Sequence, residues 1–282
     1  MNRDRLRLQP PETAQEQPFQ HRARKRFGQN FLHDAQVVER IVRAIRPAPG
    51  QKVIEIGPGQ GALTTPLLAA CGALTVIEID RDLAGYLRQR HAGEPAFTLV
   101  EGDVLDQDFA GMAPGLGSLR IVGNLPYNIS TPLLFHLLKQ RAYIHDMVFM
   151  LQREVVERLA AAPDSEAYGR LSVMMQYHCV VEPLFNVPPG AFTPAPKVDS
   201  AVVRLTPHRP SPYPPVDEPL FGKLVKAAFS QRRKTLRNTL KPLFAAPQLE
   251  QLPVDLRQRA ETLGVSDYVR LAGILEQCGP AE

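Results

Sequence analysis

Residues Lys52 to Gly61 read K-V-I-E-I-G-P-G-Q-G. The first six form an apolar run interrupted by one acid and closed by glycine, the pattern of a short buried strand. Gly57, Gly59 and Gly61 then let the backbone turn tightly and approach a ligand without Cβ clashes. A helix through Leu68 follows. The same alternation recurs downstream. Ala73 to Asp80, Phe97 to Asp103, Arg120 to Asn124 and Asp146 to Gln152 read as further strands. Helices are predicted from about Thr131 to Gln140 and from Arg153 to Ala161. Strands separated by helical segments imply right-handed crossovers and a mostly parallel, doubly wound α/β sheet covered on both faces. After Arg170, L-S-V-M-M-Q-Y-H reads as helix, and Val180 to Val187 and Ala201 to Thr206 as strands close enough to pair as an antiparallel edge.

The ends differ from this middle. Pro207 to Pro219 holds six prolines and little apolar content, so it reads as a linker. Beyond it Leu220, Leu224, Ala227 and Ala228 recur at helical spacing. We therefore expect a disordered tail over 1–20, an α/β domain over 21–208, and a Pro-rich linker with a small all-helical domain over 209–282. The 282 residues are 44% apolar and 22% charged, as for a compactly folded protein. No run approaches the roughly 20 apolar residues of a membrane span, nor has the N-terminus a secretory core. Cys71, Cys179 and Cys278 are too scattered for a disulfide framework or a zinc site, which suits a cytoplasmic protein.

The net charge of +4 says little by itself. Its distribution says more. Between Gly222 and Leu249 lie seven basic residues and no acid, among them Arg232, Arg233, Lys234 and Arg237. A second cluster, Arg22, Arg24, Lys25 and Arg26, precedes the first folded segment. Runs of one sign attract nucleic-acid phosphate through counterion release, although a solvated face has the same composition.

Three successive strand ends carry ligand-type signals. The glycine turn closes the first. Glu78, 21 positions past Gly57, closes the second, where an acid accepts both ribose hydroxyls. Asp103 closes the third, where a carboxylate can accept from an adenine amine. Singly each is an ordinary polar terminus; together they mark the carboxyl edge where open sheets bind nucleotides. The spacing G-x-G-x-G departs from the dinucleotide fingerprint, and no His or Lys stands out as a proton relay, which disfavours a nicotinamide dehydrogenase. None of the seven histidines has metal-ligand spacing, so no metal is expected.

The fourth strand runs into N-L-P-Y, Asn124 to Tyr127. The exocyclic nitrogen of adenine is a weak nucleophile because its lone pair is delocalised into the ring. A catalyst must draw its hydrogens out of plane. The Asn124 side-chain oxygen and the Leu125 carbonyl are two acceptors fixed in space, Pro126 stiffens the turn, and Tyr127 offers a ring on which a base can stack.

R-F-G-Q-N-F-L (Arg26 to Leu32), Glu55 to Gly61, N-L-P-Y and F-T-P-A-P-K-V-D-S-A-V (Phe192 to Val202) occur in this order. Over about residues 22 to 280 the chain resembles the ribosomal RNA adenine dimethyltransferases of the kasugamycin-sensitivity family. The resemblance implies a class I (Rossmann-like) methyltransferase with a helical C-terminal domain and S-adenosylmethionine as methyl donor. The implied product is N6-dimethyladenosine at two adjacent adenines in a hairpin loop near the 3′ end of 16S rRNA, within an immature small ribosomal subunit. The implied cofactor ligands are Asn30, Leu32, Gly57, Glu78, Asp103 and Asn124, with Tyr127 and Phe192 sandwiching the base. Phe192 lies in a Pro-rich loop, where an aromatic serves as readily as an apolar anchor. Arg232, Arg233, Lys234 and Arg237 are the candidate RNA contacts, and a monomer is expected. The rival readings are a related methyltransferase of large-subunit (23S) rRNA and a non-catalytic ribosome-assembly binding factor.

Overall fold

The computed structural model describes Arg24 and residues 28–278. The expected tail over 1–20, together with Arg22, Lys25 and Arg26, lies outside the described residues. After the short strand β1 (Phe31–Leu32), helix α1 (Ala35–Ile45) is started by Asp34, whose side chain accepts from the backbone N–H groups of Gln36 and Val37. Its buried residues Val37, Ile41 and Ile45 recur at four-residue spacing and lie against the sheet.

The alternation then unfolds as the sequence implies: β2 (Lys52–Ile56), α2 (Thr64–Cys71), β3 (Leu74–Glu78), α3 (Arg81–Arg90), β4 (Phe97–Glu101), α4 (Phe109–Met112), β5 (Leu119–Asn124), α5 (Ser130–Lys139), β6 (Ile144–Gln152), α6 (Arg153–Ala160) and α7 (Arg170–His178). Strands β7 (Cys179–Val187), β8 (Phe192–Thr193) and β9 (Ser200–Pro207) follow, and helices α8 (Glu218–Ala228), α9 (Leu236–Leu240), α10 (Ala246–Glu250) and α11 (Val265–Cys278) end the chain.

The main sheet runs β4-β3-β2-β5-β6-β9-β7. Its first five strands are mutually parallel, and β9 joins β6 and β7 antiparallel. Strand order reverses at β2, so the crevice at the carboxyl ends of β2 and β5 is the topological switch point. β7 is the outer edge and tolerates Pro183, beside which its register shifts. β1 and β8 form a separate pair, Leu32 opposite Phe192.

Buried apolar clusters lie on both faces of the sheet, one under α5 and α6, the other under α1 and α2. A third cluster belongs to the C-terminal helices, and α7 joins it to the sheet. Leu171 and Met175 of α7 lie in the sheet cluster, while Val173, Met174 and Tyr177 lie with Phe221, Leu224 and Tyr268. Beneath the sheet, buried Arg120 pairs with Asp146 (2.8 Å) and donates to the carbonyls of Ile45 and Arg46 at the end of α1. The ion pair is hydrogen-bonded on both sides, as a buried pair must be. No helix among the described residues is long and apolar enough to cross a membrane.

Candidate active site

Everything at the switch point depends on how closely β2 and β5 approach. A Cβ on Gly123, the penultimate residue of β5, would collide with the carbonyl oxygen of Ile56. Only glycine permits this approach, which brings the turn after β2 beside the tip after β5. Gly57 and Gly59 both adopt left-handed backbone angles (φ 64° and 58°), so the turn exposes backbone rather than side chains to the cleft.

Two buried acids stand at the ends of the neighbouring strands. Glu78 is 5% exposed; its carboxylate accepts from the N–H of Gly59 (3.2 Å) and of Asp80 (2.9 Å). Burial outweighs those donors and raises its pKa to about 7. Glu55, the one acid inside β2, is 2% exposed and accepts from the Thr64 hydroxyl at 2.7 Å. Burial, with the nearby Glu78 carboxylate adding to it, raises the Glu55 pKa to about 8. Asp103 lies two residues beyond β4 rather than on it. One of its carboxylate oxygens caps the following turn at the N–H of Leu105 (2.9 Å).

At the tip of β5, the Asn124 amide donates through Nδ2 to the carbonyl of Asn30 (3.1 Å). That bond fixes the amide plane and leaves Oδ1 as the end offered to a ligand. The N–H of Leu125 is anchored to the carbonyl of Met150 (3.1 Å), which holds the tip to β6. The half-buried Tyr127 ring is tethered through its hydroxyl to Ser200 Oγ (2.8 Å).

Gly28, Gln29 and Asn30, just before β1, line the cleft, and Arg24 reaches the end of β3. Arg24 pairs with buried Asp80 (3.0 Å) and with Asp82 at the start of α3, and its N–H donates to Gln29 Oε1 (2.7 Å). Gln29 Nε2 in turn donates to Asp80 (3.0 Å). Phe31 lies so near the glycine turn that a Cβ on Gly59 would sit 3.2 Å from its ring. Gln29 and Asn30 thus tie the end of β3 to the tip of β5.

These elements form an open cleft lined by the glycine turn, Asn30, Leu32, Glu55, Glu78, Asp103 and all of N-L-P-Y. No Lys, Arg or His among the described residues lines it. Three acidic side chains with no cation among the described lining residues suit a positively charged nucleoside and are wrong for a pyrophosphate. S-adenosylmethionine fits this donor set: acids at the ends of β3 and β4 for ribose and adenine, bare backbone at the turn, and a net positive sulfonium. No cluster of possible metal ligands occurs among the described residues.

Of the residues the sequence singles out, Asn30, Leu32, Gly57, Glu78, Asp103 and Asn124 to Tyr127 meet around one cleft. Phe192 does not. It is 3% exposed, belongs to the apolar cluster with Leu32 and Val37, and is absent from the cleft lining. In this structure it is the apolar anchor that holds β8 against β1. Arg232, Arg233 and Lys234 lie exposed in the turn between α8 and α9, not on a helix, and Arg237 is paired with Glu250. Sequence reasoning gave no role to Glu55, Gly123 or the Arg24–Gln29–Asp80 contacts. The one available signal was an acid within an otherwise apolar strand.

Comparison with known proteins is consistent across sequence and structure. The ribosomal RNA adenine dimethylase family profile matches residues 20–277. "Ribosomal RNA small subunit methyltransferase A" of Pseudomonas fluorescens (strain Pf-5) is 57% identical over 264 residues, covering 93% of this chain and 98% of the relative. The protein of that name in Pseudomonas aeruginosa is 58% identical over 259 residues, covering 92% and 97%. Among solved structures, a dimethyladenosine transferase from Plasmodium falciparum superposes with a TM-score of 0.74 at 27% identity, covering 89% of this chain and 98% of that one. The 23S rRNA methyltransferase ErmE gives 0.66 at 26% identity, covering 88% and 100%.

Proposed function

The chain belongs to the ribosomal RNA adenine dimethylase family, an S-adenosylmethionine-dependent methyltransferase family, and from that premise we propose how its residues act and on what. The substrate is small-subunit ribosomal RNA, in keeping with the names of its relatives in two Pseudomonas species. The target is the N6 amine of two adjacent adenosines in a hairpin loop near the 3′ end of 16S rRNA, presented by an immature subunit to a monomeric, cytoplasmic enzyme. The observation that carries this reading is that N-L-P-Y and the glycine turn wall the same cleft.

When bound, the cofactor supplies a methyl group on a sulfonium, an electrophile that needs no metal. The residues do the rest. Glu78 and Asp103 present carboxylates at adjacent strand ends for the ribose and the adenine of the cofactor. Asn30 and Leu32, with Gln29 beside them, wall the cleft around it. Asn124 Oδ1, turned by the bond from Nδ2 to Asn30, accepts one hydrogen of the target amine, and the Leu125 carbonyl accepts the other. Two fixed acceptors pull those hydrogens out of the ring plane and localise the nitrogen lone pair. Tyr127, held by Ser200, supports one face of the base, and Pro126 limits the tip to one conformation. Positioning two reactants for in-line transfer removes much of the barrier. A target adenine must be unpaired or extruded to reach the cleft, and loop adenines cost least to extrude.

The test is transfer of labelled methyl groups to undermethylated small and large ribosomal subunits, followed by mass mapping of the RNA. Methyl groups are expected on two neighbouring adenines of the small-subunit RNA. Incorporation into large-subunit RNA alone would overturn the assignment.

A further inference from the structure

Among the described residues, neither of the two buried acids of the cleft has a cationic partner. Glu78 at least receives two backbone N–H donors, while Glu55 receives only the neutral Thr64 hydroxyl. The groups facing Glu55 are few. From β3 comes Glu78, with Asp80 beyond it already engaged by Arg24 and Gln29. From the β4 side the cleft receives Asp103, from β5 the neutral Asn124, and from α2 Thr64. Among the described residues, none of the groups lining the cleft is cationic. A carboxyl so placed keeps its proton in neutral solution, because burial and the neighbouring Glu78 outweigh the one hydroxyl, Thr64, that favours the charged form. Its pKa of about 8 agrees.

The methyl donor and its spent form differ at one atom. The sulfonium carries a positive charge, and the thioether left after transfer does not; the amino-acid charges are common to both and cancel. We propose that Glu55 makes this cleft a charge discriminator, giving up its proton when a sulfonium nucleoside enters and keeping it when the thioether is bound. The proton passes from the carboxyl oxygen to the buffer and leaves a carboxylate as counter-charge to the sulfonium. After methyl transfer the sulfonium charge is gone, Glu55 takes a proton back from the buffer, and the product is no longer held by a counter-charge. Glu55 is thus a specificity-determining residue for cofactor exchange. The inference rests on the reading of the cleft as an S-adenosylmethionine site.

Linkage fixes the direction. Binding that releases a proton tightens with pH, so affinity for S-adenosylmethionine should rise nearly tenfold per pH unit below about pH 8 and level off above it. Affinity for S-adenosylhomocysteine should lack the Glu55 slope, and any slope from Glu78, which meets the ribose of both ligands, cancels in the ratio of the two affinities. Titration calorimetry at pH 7 in buffers of different ionisation enthalpy counts the protons directly. S-adenosylmethionine should release close to one more proton than S-adenosylhomocysteine, and Glu55→Gln should abolish the difference and the pH dependence of the affinity ratio. Equal proton counts for the two ligands in the unaltered protein, or an excess that persists in Glu55→Gln, would overturn the proposal and leave the function intact. Failure of both ligands to bind would overturn the function as well. The unaltered protein alone decides the first point, so the proposal does not depend on the variant folding.

Discussion

Glu55 should also make the protein less stable as pH rises, and the size of the effect follows from its burial. In the unfolded chain a glutamate loses its proton near pH 4.5; in the fold Glu55 keeps it to about pH 8. Between those values the folded state binds more protons than the unfolded state, so stability is fully present below pH 4.5 and is lost as pH rises to about 8. At about 1.36 kcal/mol per pH unit, the loss is about 4–5 kcal/mol. Glu78, raised to about 7, acts with the same sign. Glu55→Gln keeps an acceptor for Thr64 and removes the ionisation. It should match the parent near pH 5 and exceed it by about 3–4 kcal/mol at pH 8, or roughly 6–12 °C in Tm at this chain length. Thermal unfolding followed by circular dichroism at four pH values between 5 and 8.5 measures both slopes. Parallel Tm–pH curves for parent and variant, or a parent that gains stability over this range, would refute the account of Glu55 as a buried neutral acid.

Three further outcomes are expected. Gly123→Ala forces a Cβ onto the Ile56 carbonyl, so it should cost about 1–3 kcal/mol of stability and slow methyl transfer about 10²-fold through displacement of the tip; parental initial rates would show that the close approach of β2 and β5 is dispensable. Asn124→Ala should lower kcat by about 10²- to 10³-fold, as for loss of one preorganised dipole, while retention of RNA in a filter-binding assay stays at the parental level; unchanged turnover would remove Asn124 from catalysis. Replacing Arg232, Arg233 and Lys234 together by Gln should weaken RNA binding and reduce the salt slope by roughly 2–3 units, with cofactor affinity unaltered. A salt slope unchanged in that triple variant would rule the turn out as a phosphate contact.

The centre of the sheet was legible because β2, β3, β5 and β6 are buried on both faces and punctuated by glycine and acids, a pattern that survives without tertiary context. The antiparallel pairing of the last strands followed from their proximity in sequence, although Pro183 at the edge and the separate β1–β8 pair did not. Boundaries erred by a few residues where capping decides them: Asp103 sits beyond β4 because its side chain starts the next turn. The cleft was legible at strand ends and illegible across them. Nothing local to Gly123 announces that Ile56 lies against it, and nothing near Arg24 points to Asp80, 56 residues away. Phe192 shows the limit of motif reading, since the same aromatic serves as anchor or platform depending on which side of β8 it faces. Arg237 is comparable: four cations in sequence look equivalent until Glu250 claims one of them.

The placement of charge bears on how such a protein can take one base from a polyanion. A cleft walled by the carboxylates of Glu78 and Asp103 repels phosphate, and that repulsion reaches about 8–10 Å at ordinary salt. Adenine itself is neutral, so a base meets no such barrier, but its own backbone does. The base can therefore enter only when swung away from its sugar-phosphate, which favours unpaired adenosines over stacked and paired ones. The repelled backbone must then be held by cations outside the cleft. Arg232, Arg233 and Lys234, exposed and without a carboxylate ion pair among the described residues, have the charge for that task, whereas Arg237 is committed to Glu250. On the proposed reading, selection of an extruded base comes from exclusion as much as from contact, and acid in the pocket and base on the turn are two halves of one device.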